Sequence, residues 1–84
     1  MNVSKEGIDI NRRFFQSLEM LRQRKRIRGV QTVTNAMGIT RISMTRCRLN
    51  PEATAVRPEW IAFVTKEYGV SLQWVMLGEG EVFA

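Results

Sequence analysis

The sequence predicts an all-α domain of five helices, on two observations. Apolar residues recur at intervals of three and four along Ile10, Phe14, Leu18 and Leu21, along Val33, Ala36 and Met37, and along Trp60, Ile61, Val64 and Tyr68, the spacing of one face of a helix. Glycines stand directly behind periodic stretches, at Gly38, Gly69 and Gly78, where a helix commonly ends.

Eighty-four residues make one domain, spanning 1–84, with no room for a second core. At 44% apolar residues and two prolines the chain is neither disordered nor fibrous. No stretch approaches the roughly eighteen apolar residues of a membrane span, and the amino end lacks a basic-then-apolar signal pattern. A cytoplasmic protein with no membrane partner is expected. One cysteine makes no internal disulfide, and the absence of histidine excludes a metal site and any His-dependent catalytic group. No nucleophile and general base can be nominated together, so the chain reads as no enzyme. Its five methionines and its aromatics read as core, with no small-molecule cofactor expected.

The net charge of +5 is unevenly spread. Ile10 to Asn50 holds ten Lys/Arg against the single acid Glu19, a balance of +9; Pro51 to Ala84 holds two bases and five acids, a balance of −3; the first nine residues contribute −1. A basic half joined to an acidic half describes either a surface turned to a polyanion or arginines spread over solvated helix faces.

Met1 to Ile8 has no periodicity and is expected to be a frayed terminus or short arm. Asp9 or Asn11 can cap the first helix, in which Ile10, Phe14, Leu18 and Leu21 face the core and Phe15 covers their edge. Five bases then crowd the seven positions from Arg22 to Arg28. Bases there favour the carboxyl end of the helix dipole; Arg26 and Arg28 are also assigned to phosphate contact, because this loop leads straight into the second helix. Gly29 starts that helix and Gly38 ends it, with Ile39 placed to drop back onto the preceding turn. Thr40 can begin a third helix by offering its hydroxyl to a free N–H of the first turn. Met44 then turns inward and leaves Arg41, Ile42, Thr45 and Arg46 outside. Two helices meeting through a short turn around a glycine form a helix-turn-helix, here at about residues 30–49.

A helix that reads base edges in a major groove needs donors and apolar groups on its leading face. Arg41, Ile42, Thr45 and Arg46 supply that mixture, since Arg pairs with guanine O6 and N7 while Ile42 or the Thr45 methyl can touch a thymine methyl. Cys47 reads as a small packed hydrophobe rather than a redox switch. Pro51 to Arg57 is a linker without a helical stripe. Pro58 restarts a helix at its first position, where the missing N–H costs nothing. Trp60, Ile61, Val64 and Tyr68 form its stripe, with Phe63 on the flank. Ser71 caps a last short helix, Leu72 to Leu77, which Gly78 ends. Trp74, Val82 and Phe83 come after the core is nominally complete. They either fold back over the first helix or face a partner subunit, and they are the candidate dimer interface.

The pattern resembles the helix-turn-helix domains of the lambda-repressor-like family, of Cro and XRE type. Thr34, Gly38 and Met44 hold the places of that family's small residue, its turn glycine and its buried aliphatic six residues after the glycine. The family usually has Ala where this chain has Thr34, and a buried hydroxyl there must find a backbone carbonyl or cost about 1–3 kcal/mol. The tail from Tyr68 to Phe83 resembles the end of phage-repressor-like bacterial regulators, through Val70-Ser71, Trp74, Leu77 and Gly78. The linker at 51–57 is longer than the family's usual connection.

The resemblance implies a five-helix, lambda-repressor-like domain of a bacterial or phage regulator that binds double-stranded DNA. It implies that Arg41, Ile42 and Arg46 reach bases. It sets the amino end of the second helix, with Gln31 and Thr32, against the DNA backbone. Ser43 is then turned to the preceding helix or a phosphate, and Arg48 and Asn50 to phosphates. A homodimer would double the DNA contacts and place two such helices about 34 Å apart on a roughly palindromic operator. The alternative is a protein-interaction module of the same fold, its basic face on an acidic partner such as an antirepressor or toxin partner. Structured RNA fits less well, because single-strand readers stack bases on exposed aromatics and no aromatic is expected on the basic face.

Overall fold

Each periodic stretch becomes a helix in the computed structural model, which describes residues 3–83. Among these residues α1 spans Lys5–Gln23, α2 Val30–Met37, α3 Arg41–Leu49, α4 Pro58–Tyr68 and α5 Leu72–Leu77. The extended segments contribute one isolated antiparallel bridge, between Val70 and Phe83. No helix among the described residues is long and apolar enough to cross a membrane.

The first helix begins before its apolar stripe does. Ser4 caps it, its hydroxyl accepting from the Gly7 amide at 3.1 Å, and Glu6 lies in the positive first turn. The Val3 amide donates to the Glu52 carbonyl at 2.7 Å. Residues 3–8, expected to be a frayed terminus or a short arm, are therefore a tethered lead-in and the first turn of a helix, while Met1 and Asn2 lie outside the described residues. Asp9 and Asn11, expected as caps, sit inside α1. A polar first turn has cap and dipole chemistry but no apolar period, so a stripe-based reading starts the helix too late.

Asn11 has a different task. It is buried, its amide nitrogen donates to the carbonyls of Pro51 (3.0 Å) and Thr54 (2.9 Å), and its Oδ1 accepts from the Val56 amide at 2.8 Å. The Cys47 thiol donates to the same Thr54 carbonyl at 3.1 Å. Residues 50–57 thus have no stripe of their own and are held to α1 and α3 by buried polar bonds. Each such bond contributes about 0.5–1.5 kcal/mol, and stranding one partner costs about 1–3 kcal/mol.

In α2 the buried residues are Val33 and Thr34, with Met37 half-buried. Ala36, expected on the inner face, is exposed. A lone methyl has the least apolar area to hide, so packing turns the helix toward Val33 and away from Ala36. The Thr34 hydroxyl donates to the Gln31 carbonyl at 3.2 Å and so is satisfied in its buried place. Gly38 takes the left-handed conformation with φ 73°, and the Ile39 amide donates to the Thr34 carbonyl at 3.0 Å. Thr40 then caps α3, accepting from the Ser43 amide at 3.3 Å.

The core that carries this helix pair comes from all five helices. Phe14, Leu18 and Leu21 of α1 meet Val33 of α2, Met44 and Cys47 of α3, Trp60, Ile61 and Val64 of α4, and Val75 of α5. Each large side chain so buried is worth about 1.5–3 kcal/mol. Ile10 and Phe15 pack half-buried at its margin, and the Phe15 ring meets Phe14 edge-on at 5.1 Å. α1 packs on α3 and α5, α2 on α3, and α4 on α5. Arg13 joins α1 to the end of α5, its Nε donating to the Val75 carbonyl at 2.8 Å and its Nη2 to Met76 at 3.2 Å. Pro58 stands at the start of α4, and the Ser71 hydroxyl accepts from the Trp74 amide at 3.2 Å to cap α5.

Candidate nucleic-acid interface

With Met44 and Cys47 wholly buried, α3 has one face locked into the core and the opposite face in solvent. Arg41, Ile42, Arg46 and Arg48 are exposed and Thr45 is half-buried. α2 crosses beside it and closes a shallow groove. That groove is lined by Arg28, Gly29, Val30, Gln31, Thr32 and Asn35 from the start of α2, and by Arg41, Thr45 and Arg48 from α3. Six sequence-predicted residues from two separate stretches are thereby brought to one concave surface.

No acid lines this groove, and none occurs between Arg28 and Asn50. The Glu19 carboxylate borders it beside Arg48, but Arg22 engages both of its oxygens. Hydrogen bonding from Arg22 holds the Glu19 carboxyl below its usual range and raises the Arg22 guanidinium in turn. α2 opens on Gly29 with no side-chain cap. The Thr32 hydroxyl instead accepts from the Arg28 amide at 3.1 Å, fixing the approach of that arginine to the helix. An uncapped helix start carries a partial positive charge, which adds to the guanidinium groups along the groove.

The remaining predicted residues lie elsewhere on the surface. Arg46 and Ser43 occupy the far flank of α3 and line a second concavity with Met37, Ile39, Trp60 and Phe63. The hydroxyls of Ser43 and Thr40 are 3.0 Å apart, so Ser43 is turned to the start of its own helix. Asn50 ends α3: its backbone amide donates to Arg46 at 3.0 Å and its carbonyl accepts from Ala53 and Thr54. Arg26 is directed toward the Tyr68 ring, 5.8 Å from its centroid, and does not line the groove.

Two residues were missed by the sequence reading. Asn35 lines the groove one turn after Gln31, and the four-residue spacing was the available signal. Leu49 is 68% exposed, as is Ile42 seven residues before it. A large aliphatic at the end of a helix is ordinarily assigned to the core, and only the burial pattern places this one outside.

Trp74, Val82 and Phe83 take the fold-back course. The Ser71 amide donates to the Val82 carbonyl at 2.6 Å, Phe83 pairs with Val70, and the Arg24 guanidinium lies 4.1 Å over the Phe83 ring. Trp74 and Phe83 pack half-buried on the core. The large apolar side chains that α5 leaves exposed are Leu72, Met76 and Leu77. Cys47 is buried without exposure, and desolvation pushes its thiol above the ordinary range, which makes it a poor nucleophile. Compared with family models, with curated proteins and with solved structures, the chain matches none.

Proposed function

We propose that this chain binds double-stranded DNA sequence-specifically, with α3 in the major groove, and acts as a cytoplasmic transcriptional regulator. The observation that carries the reading is the groove in which Arg28, Gln31 and Thr32 converge with Arg41, Thr45 and Arg48, without an acid on it. In this reading Arg41, Ile42, Thr45 and Arg46 face base edges. Arg28, Gln31, Thr32 and Arg48 hold the backbone, joined by Asn35. Phosphate contacts fix register and the outer face of α3 supplies discrimination. The resemblance of the 30–49 segment and of the tail to lambda-repressor-like regulators supports the same reading.

A second copy of the chain completes the proposal, docked through uncharged α5 with its exposed Leu72, Met76 and Leu77. Two copies would present two α3 helices to half-sites about one helical turn apart. Selection of bound duplexes from a randomised pool tests all parts together. The expected product is an inverted repeat with that spacing. Recovery of sequences no different from the starting pool at moderate salt overturns the reading and favours an acidic protein as the partner of the basic face.

A further inference from the structure

The outer edge of α3 is more apolar than phosphate contact requires. Ile42 and Leu49 are each 68% exposed. Seven residues apart on a helix, they point within about 20° of one another. Around the helix Arg41 and Arg46 stand on opposite sides of Ile42, both exposed, and neither takes part in an ion pair among the described residues. The edge therefore asks for a partner that is anionic around its margin and apolar at points within it. A DNA duplex has both features: phosphates along the groove walls and, on the floor of the major groove, the thymine C5-methyl. RNA lacks that methyl and has a major groove too deep and narrow for side chains to read.

Resting on the DNA reading above, we infer that Leu49 is a further specificity residue and that Ile42 and Leu49 each read a thymine methyl. The two thymines belong to different base pairs of one half-site, because seven residues of helix separate the two side chains by about 10.5 Å along its axis.

The test uses the full chain and the duplex selected from the randomised pool, with each thymine replaced in turn by deoxyuridine, which removes only the methyl. Two positions within a half-site lose roughly fourfold in affinity each, the effect of one apolar carbon returned to water. Leu49→Ala weakens binding to the parent duplex and is indifferent to deoxyuridine at one of those positions. Ile42→Ala behaves likewise at the other, and Leu49→Met keeps the sensitivity. Both side chains are exposed, so the variants fold, and coincident thermal melts verify it. If the parent duplex and all its deoxyuridine copies bind alike, or Leu49→Ala remains sensitive at both positions, the thymine assignment is overturned while the DNA reading stands. If no duplex is preferred over pool DNA, the DNA reading falls and this assignment with it.

Discussion

Two basic regions of the molecule use their charge in opposite ways. The stretch from Arg22 to Arg28 is the denser in sequence, with five bases in seven positions, yet most of its guanidinium groups are engaged within the chain. Arg22 pairs with Glu19, Arg24 lies over Phe83, and Arg26 is turned toward Tyr68. α3 is sparser, and its Arg41, Arg46 and Arg48 are exposed as Arg22, Arg24 and Arg26 are, but among the described residues none of the three forms an ion pair or lies over an aromatic ring. Charge density along a chain is therefore a poor guide to charge available to a partner. What decides is whether an aromatic ring, a carboxylate or a carbonyl lies within reach after folding. Arg28, at the end of the dense stretch, belongs by position to the second group, since it lines the groove with α2 and α3.

The largest expected effect comes from α3. Arg41→Ala should lose about 1–3 kcal/mol of binding to the selected duplex and relax the preference at one base pair, measured by titration against single-base variants. Uniform loss across all variants would remove α3 from sequence reading and erase the contrast between the regions. Arg28→Ala should weaken every duplex alike and reduce the slope of log affinity against log salt by about one unit. A base-specific loss would shift Arg28 into the reading set.

The dense stretch should respond in stability instead. Among the described residues Lys25 is the non-glycine residue with positive φ, at 62°, where α1 ends with the Arg26 amide donating to Leu21 at 2.9 Å. A side chain held left-handed costs about 1–2 kcal/mol, so Lys25→Gly should raise stability by about 1 kcal/mol in denaturant unfolding, less the entropy glycine adds to the unfolded chain. Arg24→Ala should be smallest, lowering stability by about 0.5–1 kcal/mol through loss of the cation–ring contact. Its affinity for the selected duplex should stay within about twofold of the parent, the scale of a residue outside the phosphate-contact set. A salt slope that falls for Arg24→Ala as it does for Arg28→Ala would show that the two regions act as one.

Much of the helix pair was legible because its signals are local. The turn at Gly38, the cap at Thr40 and the inward Met44 each depend on residues within one or two turns, and periodicity alone separates Met44 from Arg41, Ile42 and Arg46. The start of α1 was misread because Ser4 and Glu6 announce a helix by capping and charge rather than by apolar spacing. Asn11 was misread because its partners lie forty and more residues away, at Pro51, Thr54 and Val56. Ala36 departed from expectation, and Leu49 went unread, for a related reason. A period says that a helix has an apolar face but does not say how far a neighbouring helix covers it.

From the sequence alone came five helices, the glycine ends of α2, α4 and α5, the caps at Thr40 and Ser71, and the composition of the exposed side of α3, since all of these follow from backbone preferences and spacing within a turn. Tertiary packing alone decided which cations remained free, that Asn11 pins the 50–57 loop, and that Arg28, Gln31 and Asn35 meet Arg41 and Thr45 in one groove. Those outcomes depend on how one helix crosses another, and a crossing is set by the volumes of side chains distant in the chain rather than by the order in which they are strung.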